Sequence, residues 1–234
     1  MDLPVWQALR TELHPRGVEI VTVALDTGGA DAARPWIEAA SPEHPSLIDV
    51  AHICDDLLGI VNVPNAVWID EHGMIVRAAE PAWPGETPML TMLPAMVEDL
   101  PPERRVVIDE VLKMKVDPAG YLAMLLDWVD NGAGSQYVLS PDEVIARSLP
   151  RGDDEARAAA HFELGFHLYA NGHHDAAVPH WREAHRLHPA NWTYKRQAWN
   201  LEPTEPGAAN RYDGDWLTDV RAIGAENYYP AIVA

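Results

Sequence analysis

A chain of 234 residues with 47% hydrophobic content has room for one large domain or two small ones around a true core. Its 17 Lys and Arg against 36 Asp and Glu leave a net charge of −19. That charge repels a phosphate backbone or an anionic membrane surface, so nucleic acid and membrane are not expected partners. No stretch reaches the ~20 apolar residues of a membrane span, no basic start precedes an apolar run, and the chain as written is expected in the cytoplasm.

In chain order, Leu3, Trp6, Leu9 and Leu13 stand three and four apart, predicting an amphipathic helix over 3–14 that Pro15 and Gly17 end. Val18 to Leu25, VEIVTVAL, is β-branched and almost continuously apolar, which predicts a strand buried on both faces. Asp26, Thr27, Gly28 and Gly29 break it. A helix over 30–40, an extended piece over 46–50 and a helix over 52–58 come next. Ala66 to Asp70 and Met74 to Ala78, around the polar turn Glu71–Gly73, form the next strand and its hairpin partner. The order is α/β.

Beyond Glu80 the pattern turns helical. Pro81, Pro84 and Pro88 mark a linker over 81–102, and helices are expected at 103–115, 118–130, 141–148, 154–171, 175–188 and 191–200. Ser140, Pro141 and Glu143 spell a capping box. Pro203, Pro206, Gly207 and Gly214 predict an irregular tail over 203–234.

Cys54 is the only cysteine, so no internal disulfide and no multi-thiolate metal site can form within the chain. There is no Ser-His-Asp order, phosphate loop or Rossmann glycine pattern, and Gly28 with Gly29 is too little to make one.

The order of elements over residues 1–80, together with Gly59-Ile-Val-Asn-Val-Pro64-Asn-Ala-Val-Trp-Ile-Asp70, resembles the thioredoxin superfamily, in particular its TlpA/ResA and peroxiredoxin-like branch. The resemblance implies an α/β thioredoxin-like domain with a cis-proline at Pro64 following Val63, and Val63, Pro64 and Asn65 as the residues that meet an extended substrate. An X-Pro bond has only ~0.5–1 kcal/mol of trans preference; the alternative is a trans Pro64 that starts an edge strand. The branch opens its first helix with Trp-Cys-x-x-Cys-Arg, and Met1-Asp2-Leu3-Pro4 looks like the stretch just after the second cysteine.

The resemblance carries two expectations. In one, the natural start lies upstream and supplies the first central strand and a redox motif, as a cysteine pair or as the selenocysteine of actinobacterial selenoprotein-type relatives; the 234 residues alone are then inactive. In the other, the domain is a non-catalytic adaptor. Losing a central strand leaves ladder groups unpaired at ~1–3 kcal/mol each if buried, which favours the first. The implied activity is thiol-disulfide or peroxide chemistry by thiolate or selenolate attack, on a protein disulfide, a peroxide or a peptide, with no cofactor. Asp26, or Thr27 beside it, stands where the fold places a proton-transferring acid, although a strand-end Asp is more often a turn former. Cys54 is either a small core residue or a resolving thiol.

In the helical region of 103–202, His161-x-x-Leu164-Gly165-x-x-Leu168 followed by Gly172, Ala177, Trp181, Ala184 and Pro189 resembles a tetratricopeptide unit over 158–191, with His161 and Leu168 in the aromatic places. Such a unit binds protein along its concave face or merely covers a neighbour, and one unit cannot bury its hydrophobic face alone. Seven histidines lie here, at 161, 167, 173, 174, 180, 185 and 188. Helical placement puts 161, 167 and 180 on different sides and only 185 and 188 on one face, so no metal site is expected.

Overall fold

The computed structural model describes residues 3–85, 100–148, 151–202, 212 and 214–232. No helix among them is long and apolar enough to cross a membrane. The opening helix α1 (Leu3–Leu13) buries Leu9 and Leu13, the inner stripe of its apolar spacing, and a 3₁₀ turn at His14–Arg16 closes on Gly17 at φ 87°. Then come β1 (Thr22–Leu25), α2 (Gly29–Ala40), β2 (Ser46–Asp49), α3 (Ile53–Leu58), β3 (Asn65–Ile69) and β4 (Ile75–Pro81). The expected linker of 81–102 lies mostly outside the described residues, as does most of 203–213.

The strands make two separate ladders. β1 pairs with β2 in parallel, Thr22 opposite Ser46 through Leu25 opposite Asp49, and β3 pairs with β4 antiparallel, Asn65 opposite Pro81. The first strand is shorter than the expected 18–25 and is not buried on both faces. Its early residues are held otherwise: the Val18 amide donates to the Leu13 carbonyl at 3.3 Å, and the Ile20 amide to the Glu19 carboxylate at 2.9 Å. Val21 and Val23 are 52% and 39% exposed.

Register explains where the open edge lies. The Thr22 amide donates to the Pro45 carbonyl at 3.0 Å, and in a parallel ladder alternate residues aim both backbone groups at the same neighbour. Thr22 and Ala24 therefore face β2, while Val21, Val23 and Leu25 face away from it. The Leu25 carbonyl on that side is met by the Gln197 amide at 3.2 Å; no strand lies alongside Val21 and Val23 among the described residues.

Helices continue with α4 (Pro102–Val111), α5 (Pro118–Asn131), α6 (Pro141–Arg147), α7 (Asp153–Ala170), α8 (His174–Leu187), α9 (Trp192–Leu201) and α10 (Trp216–Ile223). The Ser140 capping box is formed, and Asp117, Asn191 and Asp215 cap three more N-termini. α10 corrects the expectation of an irregular tail: an Asp215 cap on Thr218 at 3.0 Å and fully buried Val220 hold eight helical residues between glycines.

Three apolar clusters join these elements. Leu9 and Leu13 of α1 meet Trp68 of β3, Ala82, and Tyr121, Met124 and Leu125 of α5; Val18 and Ile20, just ahead of β1, pack on the same cluster. Phe162, Ala177, Trp181, Ala184, Tyr194, Ala198 and Tyr212 fill the space between α7, α8 and α9. Trp83, Trp192, Val220, Tyr228 and Tyr229 make the third. Gly165 on α7 is a packing requirement, because a Cβ there would sit 2.6 Å from the Trp181 ring.

Candidate functional site

The segment entering β3 is enclosed by residues far along the chain. The Val63–Pro64 peptide bond is cis. Buried Asn62 accepts the Val63 amide on Oδ1 at 2.9 Å and donates through Nδ2 to the Tyr228 carbonyl at 3.2 Å. The Tyr229 hydroxyl donates to the Val63 carbonyl at 3.0 Å, and the Val61 carbonyl accepts from the Trp192 and Thr193 amides at 2.7 and 3.2 Å. The amide and carbonyl of Val63 are thus both engaged from within the protein. Asn65 opens β3 opposite Pro81, and its Oδ1 is buried without a partner among the described residues.

A second polar group gathers where the parallel strands β1 and β2 end, the place where open α/β sheets bind ligands. Asp26 accepts the Gly28 amide on Oδ1 at 2.8 Å, which makes it the turn former that the sequence also allowed. Thr27 is buried and gives both its amide and its hydroxyl to Gln197 Oε1, at 3.1 and 2.6 Å. Asp49 accepts the Cys54 amide at 2.8 Å; burial raises its pKa, but the Cys54 and Ile53 amides prevail and hold it below the ordinary value.

Cys54 sits on α3, half-buried, and burial together with the Asp49 carboxylate pushes its thiol up to about 11. At neutral pH it is a thiol and a poor nucleophile. His52, the residue before α3, is 1% exposed and has left-handed backbone at φ 58°. Its ring meets Phe162 of α7 edge-on at 5.1 Å and Tyr194 of α9 at 6.0 Å, and neither ring nitrogen has a partner among the described residues. Burial lowers its pKa to about 4, against the opposing pull of Asp49 and Asp26. Beside it, buried Asp55 accepts from Asn191 Nδ2 at 2.9 Å, and burial raises its pKa.

The histidines are arranged otherwise than helical placement predicts. His161 of α7 and His180 of α8 face each other, Nδ1 to Nδ1 at 2.9 Å, so they do not lie on different sides. His185 and His188 do not act together: His185 stands between the Tyr212 hydroxyl at 2.8 Å and Asp219 at 3.3 Å, whereas His188 lies near Asp55 and Glu155. No group of three or more His, Cys, Asp or Glu able to hold a metal ion occurs among the described residues.

Sequence reasoning missed Asn62, His52, Gln197 and the Tyr228–Tyr229 pair. Only the aromatic pair carried any signal, and it lay in the stretch read as irregular. Neither a protein-family model, nor a curated protein, nor a solved structure matches the chain.

Proposed function

We propose that this chain is the scaffold of a thioredoxin-like redoxin, a thiol-disulfide oxidoreductase or peroxide-handling enzyme whose nucleophile its own 234 residues do not supply. The observation that carries this reading is the pair of ladders with unpaired edges. Among the described residues β1 has a neighbour only in β2 and β3 only in β4, yet Ile20, just ahead of β1, and Trp68 of β3 rest on one core under α1. A sheet completed between them would place a further strand against β1 and β3, the arrangement the resemblance implies.

The thiol inventory agrees with that reading. In thiol-disulfide exchange a thiolate attacks one sulfur of the substrate disulfide and the other sulfur leaves as a thiolate. Cys54, with its thiol held near 11, is unsuited to attack at neutral pH. The α7–α8 pair, with Gly165 against Trp181 and Ala177 and Ala184 buried, supports a tetratricopeptide-type unit that engages protein.

A second reading, a non-catalytic adaptor, is favoured by one contact. The Val63 carbonyl, which a redoxin would offer to substrate, is taken by Tyr229. Joining a strand and a Cys-x-x-Cys helix start ahead of Met1 separates the two. The redoxin reading expects insulin-disulfide or peroxide reduction in the extended protein and none in the 234 residues alone; an extended, folded protein with no activity supports the adaptor.

A further inference from the structure

A short segment after α10 lies against the loop that leads into β3, and two neighbouring tyrosines hold it there on unequal terms. Tyr228 is buried, with its ring against Trp192 at 4.6 Å and Trp216 at 5.9 Å and its hydroxyl accepting from Arg196. Tyr229 reaches the loop itself: its hydroxyl donates to the Val63 carbonyl at 3.0 Å, and its ring meets Trp83 edge-on at 5.2 Å. Pro230 and Ala231 beyond it are exposed.

The bonds at Val63 imitate those of a paired strand. An extended peptide laid along a backbone offers an N–H and a C=O to the residue it pairs with. Here the Tyr229 hydroxyl is the donor to the Val63 carbonyl, and the Asn62 side chain is the acceptor for the Val63 amide at 2.9 Å. Asn62 also donates through Nδ2 to the Tyr228 carbonyl at 3.2 Å, so its amide stands between loop and segment as a peptide group would. A peptide that replaces these contacts exchanges hydrogen bonds one for one, which leaves little net cost. The segment is also loosely packed on one side. Glu226, Asn227, Tyr229, Pro230 and Ala231, with Lys115 opposite, line an open cleft of about 220 Å³, and a segment with few neighbours opens locally at a lower cost than the core beneath it.

We propose that residues 229–231 are an autoinhibitory strap anchored at Tyr228: the strap occupies the backbone of Val63, and an extended polypeptide displaces it in order to pair there. Its role rests on the redoxin reading, which makes Val63 the residue that substrate meets. With the strap closed, the binding-competent state is a minor population, and the apparent affinity for a peptide is reduced by that fraction.

Fluorescence anisotropy of labelled, carboxymethylated insulin B chain against the 234-residue chain tests this. Tyr229→Phe keeps the ring and removes the donor, and should bind this extended peptide about fivefold more tightly than the unmutated chain, the value of one neutral hydrogen bond. Equal affinity, or no binding by either, overturns the proposal. Should Tyr229→Phe fail to fold, amide exchange of residues 224–232 in the unmutated chain decides: saturating peptide should speed it, and unchanged or slower exchange overturns the proposal. The protein extended by a strand and a Cys-x-x-Cys helix start separates the strap from the redoxin reading. Insulin reduction that Tyr229→Phe fails to raise overturns the strap and leaves the redoxin standing, whereas tighter peptide binding without any reduction supports the strap and counts against the redoxin.

Discussion

The α7–α8 helix pair and the two strand ladders solve the same problem with opposite success. In the helices the interior backbone groups bond within their own segment except at Pro179 of α8, which has no amide to give, and the facing side chains close on one another until Trp181 is 1% exposed. In the ladders β1 and β3 have one strand neighbour each among the described residues, and Val21, Val23, Leu47 and Ile69 are 39–53% exposed. A helical hairpin is complete on local terms, whereas a sheet edge advertises what is still to be paired.

The sharpest way to break this comparison is to change one residue on each side. Trp181→Ala should cost about 3–5 kcal/mol by leaving a cavity among Gly165, Tyr169 and Tyr212, whereas Val23→Thr on the open edge should stay within about 0.5 kcal/mol. Urea unfolding measures both, and equal losses would erase the distinction.

The next effect concerns His52, which sits where the two regions meet. Its folded pKa of about 4 lies below the ordinary 6.5, so the unfolded chain binds the extra proton first. Its contribution is intact above pH ~6.5 and is lost as pH falls toward about 4, a change on the order of 3 kcal/mol. His185, also lowered to about 4 by burial, shifts stability in the same direction. His52→Asn, which tolerates the left-handed backbone, should flatten the curve by the His52 share and leave that of His185; an unchanged curve between about pH 4 and 6.5 would remove His52 from the account.

The smallest effect is at the loop that both readings of function share. Tyr229→Phe keeps the ring against Trp83 at 5.2 Å but frees the Val63 carbonyl, and should cost about 1 kcal/mol with an unchanged urea slope.

The elements legible in the sequence were those with local causes. Leu9 and Leu13 on one stripe, the Ser140 box, and Pro64 ahead of an apolar run all act within a few residues. Val18 to Ile20 read as strand by composition, yet became loop because the Leu13 carbonyl and the Glu19 carboxylate took the Val18 and Ile20 amides. α10 was hidden because Gly214 and Gly224 frame a helix of only eight residues. Of the site, Val63 and Pro64 were visible; Tyr229 was not, since its bond to Val63 spans 166 residues and leaves no periodic trace. His161 and His180 were misplaced for a related reason: a helical wheel describes one helix, and their meeting is decided by how two helices pack.

Amide hydrogen exchange along β1 tests the open sheet most directly. Thr22 and Ala24, aimed at β2, should exchange at least about tenfold more slowly than Val21 and Val23. Equal protection of all four would mean that the Val21–Val23 edge is already paired, and the proposal of a sheet awaiting a further strand would be wrong.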